Sequence, residues 1–236
     1  MQILVGQNHL DTLGGSETFT YTLIKGLKKL GNQVELLVGQ PNRLGIMSKK
    51  IYDDLGVKAN RLTTTYDACF LSHQSSVKSY IEKFGNTGLK NVFQIVHGTI
   101  PPEEQPVIHN GLKYIAISKE VQNYLLTKYG LQSVCISNFI DLERFHFKEI
   151  RPTLKVCLSL SQSSAFNEML QNVCKKKGLV FYSNNKFTNP IFDIENIIYK
   201  ADLVFSLGRG CYEAMACGRN VIVADHRPYQ NSYSDG

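Results

Sequence analysis

Asp202-Leu203-Val204-Phe205-Ser206-Leu207-Gly208-Arg209-Gly210-Cys211-Tyr212-Glu213-Ala214-Met215-Ala216-Cys217-Gly218-Arg219-Asn220-Val221-Ile222-Val223-Ala224 reads as strand, loop, helix and strand in sequence. The apolar run Asp202 to Ser206 is too short for a helix and suits a buried strand. Glycines then open a loop, an apolar segment from Cys211 to Cys217 follows as a helix, and Gly218 stops it. Asn220 to Ala224 is the next strand. A strand, a crossover helix and a strand imply parallel pairing with helical cover. The glycine-rich loop would present the Gly210 and Cys211 amides at a helix start, and Arg209 adds a planar cation suited to phosphate oxygens. Glu213 falls in the first turn of that helix. Its carboxylate can accept two hydrogen bonds, as from the vicinal hydroxyls of a ribose. Its plainer role is to complement the helix dipole.

The same alternation extends in both directions. Upstream lie strands at Leu154–Leu160 and Leu179–Tyr182 and helices at Ala165–Lys176 and Ile194–Lys200. Nearer the N-terminus, Ile3-Leu4-Val5 is a short strand, followed by a loop ending in Gly14-Gly15-Ser16 and a helix from Thr20 to Leu30 with Ser16 as its cap. Further strands read at Val34–Val38, Asp67–Leu71, Val92–Val96, Tyr114–Ile117 and Val134–Ile136. Helices read at Val77–Phe84 and at Lys119–Lys128, the latter capped by Ser118 and ended by Gly130. Residues Pro41 to Thr65 admit one helix, around Ser48 to Leu55, and a weak strand. The polar stretch Asp141 to Pro152 is the expected boundary, giving two Rossmann-like α/β domains, 1–145 and 146–236. Ligands of such sheets sit outside the carboxyl ends of the strands, so two facing domains would line a cleft with loops and helix N-termini.

Composition narrows the classes. The chain has 236 residues, of which 43% are hydrophobic and 19% charged, enough to build a core. A net charge of +6 suits an anionic partner such as nucleotide phosphates. The excess is spread out, and the one tight run, Lys175-Lys176-Lys177, reads as a solvated helix end. Nothing else favours nucleic acid, which is not expected as a partner. Six cysteines without a Cys-x-x-Cys pair read as buried thiols, and no metal spacing is present. The start Met1-Gln2-Ile3-Leu4-Val5-Gly6 lacks the features of a signal peptide, and no apolar run approaches about 18 residues. A cytoplasmic protein is the expectation. Lys25, Lys28 and Lys29 with Lys49 and Lys50 offer a basic face for peripheral membrane contact, though solvated surface lysines are the commoner explanation.

Two further features sit at strand ends. Gly14-Gly15-Ser16-Glu17 would let a ligand approach the backbone closely, but it is neither a P-loop nor a complete Gly-x-Gly-x-x-Gly, and an ordinary tight turn explains it equally well. His97-Gly98 ends a buried strand and would point its imidazole toward the ligand side; a structural histidine is the alternative. His9, His73, His109, His146 and His226 show no ligand spacing and receive no role.

The segment from Glu213 to Ile222 resembles the donor-site signature of family 4 retaining glycosyltransferases, which adopt the GT-B fold. Gly14-Gly15-Ser16-Glu17, His97-Gly98, Ile117-Ser118, Ser137-Asn138-Phe139-Ile140-Asp141 with Phe145, and Ala201-Asp202-Leu203-Val204 resemble other parts of that family in the same order. The resemblance implies that Glu213 holds the donor ribose, and that the Gly210 and Cys211 amides serve the donor's phosphate or sugar. It implies that Gly14 and Gly15 approach the phosphates and that His97 contacts the transferred sugar as the catalytic-side residue. Ser118 and Asn138 are candidate cleft-lining residues. No metal and no cofactor are implied, because helix ends and basic side chains stabilise the leaving diphosphate.

Three departures stand out. The family's Arg and Lys after the first strand of the second domain are replaced by Ser159-Leu160-Ser161-Gln162-Ser163-Ser164, leaving Arg209 as the nearest substitute. The family's second Glu, eight positions before Glu213, is Phe205. The chain ends at Ser234-Asp235-Gly236, short of the family's usual terminal helix, which makes the second domain look abbreviated. The expected function is transfer of a sugar from a UDP- or GDP-type donor to a glycan, lipid-linked or protein acceptor with retention, a hexosyltransferase-type activity (EC 2.4). The alternative is a non-catalytic nucleotide- or glycan-binding module that keeps the fold. An epimerase or phosphorylase of related fold has no positive support.

Overall fold

The first strand, β1 (Gln2–Gln7), buries Ile3, Leu4 and Val5 on consecutive positions. A strand buried on both faces belongs at the centre of a parallel sheet. In a computed structural model of the chain, which describes residues 1–85, 89–184 and 190–224, β1 is flanked on both sides. It pairs in parallel with β2 (Gln33–Val38) and with β3 (Ala68–Ser72), for example Leu4 with Glu35 and with Cys69. The sheet continues through β4 (Val92–Val96), β5 (Lys113–Ala116) and β6 (Ser133–Cys135), in the order β2-β1-β3-β4-β5-β6. Its direction of winding reverses between β1 and β3, the place where such sheets hold ligands.

Helices α1 (Gly15–Lys29), α2 (Ile46–Leu55), α3 (His73–Phe84) and α4 (Lys119–Tyr129) connect these strands. α1 turns Phe19, Tyr21 and Ile24 inward and carries Glu17 in its first turn and Lys28 and Lys29 in its last, matching the helix dipole. It begins at Gly15, five residues before the expected start. Ser16 is therefore inside the helix and not its cap; its hydroxyl donates to Glu17 Oε2 at 2.9 Å. Ser118 does cap α4, accepting from the Val121 N–H at 3.2 Å, and Gly130 closes that helix with φ +67°. α3 starts at His73, before the expected Val77, because the turn out of β3 is left-handed at that residue. The weak strand expected within 41–65 reduces to isolated bridges, Leu10 with Leu44 and Leu36 with Ala59.

The second sheet holds β7 (Val156–Ser159), β8 (Val180–Ser183), β9 (Leu203–Ser206) and β10 (Asn220–Val223). All its pairings are parallel, in the order β10-β9-β7-β8, with the reversal between β7 and β9. Helices α5 (Ser164–Lys176), α6 (Glu195–Ile198) and α7 (Arg209–Ala216) link them. Lys175 and Lys176 close α5, as the sequence suggests.

The chain divides into two compact units, Met1–Phe139 and Ile140–Gly236. The second unit thus starts at Ile140, ahead of the expected 146. The reason is packing: Phe145, 1% exposed, lies in the second core with Leu158, Ile198, Val204, Ala214 and Cys217, and Ile140 packs against that cluster. Arg219 ties down the rest of the connecting segment. Buried, its guanidinium donates to the carbonyls of Lys148, Glu149, Ala201 and Cys217. All six cysteines are free, and burial pushes the Cys157 thiol up to about 12, helped by Cys174 and Asp202. No helix among the described residues is long and apolar enough to cross a membrane.

Candidate functional site

In the second unit the chemistry gathers where β9 hands over to α7, beside the sheet's reversal point. Gly208 makes the turn with φ +61° and ψ −129°, a backbone conformation that side chains disfavour. Gly210 is packed against β9 and the β7 loop; a Cβ there would run into Ser206 and Leu160. Its glycine therefore serves close packing of helix on strand. The Cys211 N–H donates to the Gly208 carbonyl at 3.1 Å, so this amide is engaged within the turn.

Arg209 and Glu213 occupy successive turns of α7 and are each 8% exposed. Arg209 Nε donates to Glu213 Oε1 at 2.8 Å. The expected phosphate cation is thus a buried partner of the expected ribose ligand. Burial pushes the Glu213 carboxyl above its ordinary value, and Arg209 pulls against that shift. Burial likewise lowers Arg209, and Glu213 opposes it. Each group reduces the cost of burying the other. Nearby, Arg144 donates to Glu195 Oε2 at 2.6 Å, with its guanidinium 4.2 Å from the Phe192 ring centroid.

The loop after β7, where a cationic pair was missing from the sequence, turns on its own serines. The Ser161 N–H donates to Ser159 Oγ, the Ser163 N–H to Ser161 Oγ, and the Phe166 N–H to Ser163 Oγ. Phe205 lies within β9 with its ring set edge-on to Phe166 at 6.4 Å.

In the first unit, the loop between β1 and α1 is organised by Glu17, 2% exposed. Its carboxylate accepts from Thr12 Oγ1 at 2.6 Å and from Ser16 Oγ at 2.9 Å, and it covers Gly14. Gly15 faces open space. Asp11 is chelated by Arg43 at 2.9 and 3.1 Å. Burial would raise its carboxyl, but Arg43 and His9 hold it below the ordinary range.

His97 follows β4 directly. Its Nε2 lies 3.0 Å from Ser72 Oγ, the Phe19 ring meets it in a T-shaped contact with 4.8 Å between centroids, and His73 stacks on it at 5.5 Å. The backbone N–H of His97 donates to Glu104 Oε2 at 2.9 Å. The sequence reading gave no role to His73 or Glu104, yet both are buried here with Gln7. His73 could have been found by the signal that found His97, a histidine directly after an apolar strand. Glu104 carried no such mark. Ser118 is committed to its cap, and Asn138 is half-buried on the segment after β6. Among the described residues no group of three or more His, Cys, Asp or Glu is arranged to hold a metal ion.

No protein-family model matches the chain, and no curated protein sequence matches it. Solved structures do. A crystal structure of Anabaena Alr3699/HepE in complex with UDP and glucose superposes with a TM-score of 0.65 and 14% identity, over 95% of this chain and 81% of that one. The fold is of the GT-B type. A second structure of the Anabaena protein, in complex with UDP-glucose, gives 0.63 at 14% identity over 94% of this chain and 79% of that one. The DNA-modifying enzyme β-glucosyltransferase gives 0.50 at 13% identity, with the same two coverages. At these identities the likeness establishes the GT-B architecture of two Rossmann-like units.

Proposed function

We propose that the chain binds a nucleoside-diphosphate sugar and transfers its sugar to a hydroxyl-bearing glycan, lipid-linked or protein acceptor with retention of configuration. The observation that carries this reading is the place of Glu213. It stands one turn into the helix after the central strand β9, in a fold shared over 95% of the chain with a structure holding UDP and glucose. A uridine-type donor is the first choice because the HepE structures contain UDP with glucose and UDP-glucose. In the reaction, the bond between the sugar's anomeric carbon and the diphosphate oxygen breaks, and a bond to the acceptor oxygen forms. The acceptor's proton passes to the leaving phosphate. Glu213 holds the ribose hydroxyls, and Arg209 aims that carboxylate and opposes the burial that disfavours its charge. In the second unit the loop at Gly208–Gly210 serves the diphosphate; in the first, Gly14, Gly15 and His97 are the candidate donor-contacting residues.

A second reading has a specific observation behind it. Arg209 is engaged with Glu213, and no cation stands in residues 159–164, so the two places where a diphosphate-neutralising cation was expected do not supply an uncommitted one. This favours a binding module that retains the nucleotide without turning it over.

A thermal-shift series with UDP-glucose, GDP-mannose and ADP-glucose tests the site. At 100 times its dissociation constant the true donor adds about 2.7 kcal/mol of stability. Wild type should gain several degrees with one nucleotide class, and Glu213→Gln should lose that gain while melting on its own as a folded protein. Equal responses from the variant, or no response from wild type, would sink the assignment. Release of UDP in the presence of acceptor extracts then separates transferase from binding module.

A further inference from the structure

The least expected constellation in the first unit is buried beneath His97. Gln7 ends β1, His73 follows β3, and Glu104 sits in the short turn Pro102–Glu104 that folds back after β4. Their exposures are 1%, 5% and 8%. They meet at the switch point of the sheet, where β1 and β3 lie side by side.

The hydrogen bonds among them fix a proton count. Gln7 Oε1 accepts from the Asn8 N–H at 2.9 Å, which sets the orientation of that amide. The same oxygen lies 2.6 Å from His73 Nδ1, so Nδ1 must carry a proton. His73 Nε2 lies 3.1 Å from Glu104 Oε1. The other oxygen of Glu104 accepts from the His97 N–H. A glutamate is ordinarily a carboxylate, so Oε1 offers an acceptor; burial would raise the Glu104 carboxyl, and the hydrogen bonds and charges of His73 and His97 outweigh that. Both ring nitrogens of His73 therefore face acceptors, and only an imidazolium donates from both.

The backbone agrees with a residue held for its side chain. His73 has φ +67°, in the left-handed region that a non-glycine residue adopts at a cost. Such strain persists where the surroundings over-determine it. Here that turn carries the ring from the end of β3 under the ring of His97, at a 5.5 Å centroid separation and 22° between planes.

We propose that His73 is held as a buried imidazolium between Gln7 and Glu104, and that this ion pair is a positioning device for His97. Glu104 transmits the hold. One of its oxygens grips the His73 ring, and the other grips the backbone of His97. The stacked ring of His73, the T-shaped contact with Phe19 and Ser72 Oγ at 3.0 Å then seat the His97 imidazole at the end of β4. The device rests on the reading of His97 as the sugar-side residue only for its purpose. Its existence depends on this unit alone.

The test is imidazole nitrogen NMR on the full chain at pH 7. In wild type, His73 should show both ring nitrogens protonated. Glu104→Gln offers one acceptor where two are used, so His73 should drop to the Nδ1-protonated neutral form as the new amide donates to Nε2. The ring and backbone signals of His97 should move with it. Asparagine tolerates the left-handed backbone, so His73→Asn keeps the turn while removing the charge, and it should shift the His97 signals in the same way. A singly protonated His73 in wild type, or unmoved His97 signals in both variants, overturns the proposal. With UDP-glucose as probe, kcat should fall about tenfold in Glu104→Gln with KM little changed, because the loss is of alignment. If the NMR result holds and wild type fails to turn over any sugar nucleotide, the positioning pair stands and the transferase reading falls.

Discussion

Arg209 and Glu213 each bury nine-tenths of their surface, and their 2.8 Å hydrogen bond is the condition for both being there. Removing one partner of such a pair typically costs about 3–5 kcal/mol, because the other is left buried and uncompensated. Arg209→Ala should therefore lower the urea-unfolding free energy by about that amount. Arg209→Met combined with Glu213→Gln should recover much of it while losing nucleotide binding. A double-mutant cycle read by urea denaturation and by UDP-glucose binding checks both outcomes. At this scale the sequence was partly legible. Glu213 stands out as a carboxylate in an apolar helix, and Arg209 as a cation in a glycine loop. Their mutual engagement was not legible, since a four-residue spacing permits contact without requiring it. His73 and Glu104 were less legible still. They are far apart in the chain, and only the fold brings them within 3.1 Å.

Elements were read well where local chemistry sets them. Ser118 and Gly130 bracket α4 as their residue types demand, one accepting a free N–H and the other taking a left-handed φ. Ser118→Ala should cost about 1 kcal/mol in chemical denaturation and leave any nucleotide response intact, which would separate the cap from a ligand role. Gly208 is the corresponding point for α7. With φ +61° and ψ −129° it lies where an alanine is strained, so Gly208→Ala should destabilise by about 1–3 kcal/mol. It should also weaken UDP-glucose binding more than Ser118→Ala does, because the turn aims the first residues of α7. Isothermal titration of both variants compares them. The errors at this scale have a common cause. α1 starts at Gly15 and α3 at His73, each ahead of the residue that propensity favours, because the turn out of the preceding loop or strand sets the first helical turn. Ser16 has the chemistry of a cap but not its position, since its backbone is already helical.

For the molecule as a whole, buried carboxylates set the response to acid. Burial would raise Asp202, but the N–H groups of Lys155 and Val156 and the Arg151 side chain bring it below its ordinary 3.8. Glu104 is held below its ordinary 4.5 by His73. Groups lowered by folding give stability that is full above those values and lost as pH falls through the folded ones. Glu213 is raised, so its contribution has the opposite sign, present below 4.5 and lost as pH rises through its folded value. The urea midpoint of wild type should therefore fall steadily below about pH 4.5. Asp202→Asn should begin lower at pH 7 and fall less steeply. The sequence by itself determined the alternation of strands and helices, the parallel sheets and the two-unit plan. Those follow from hydrophobic period, glycine stops and connection length, which act between neighbours in the chain. Tertiary structure alone decided that the second unit begins at Ile140, because Phe145 finds its core only after β7, β9 and α7 have assembled. It alone decided that Arg209 serves Glu213 and that His73 and Glu104 lie under His97. Burial supplies the reason: once water is excluded, each polar group must find a partner, and that partner is set by which strand ends the sheet places side by side.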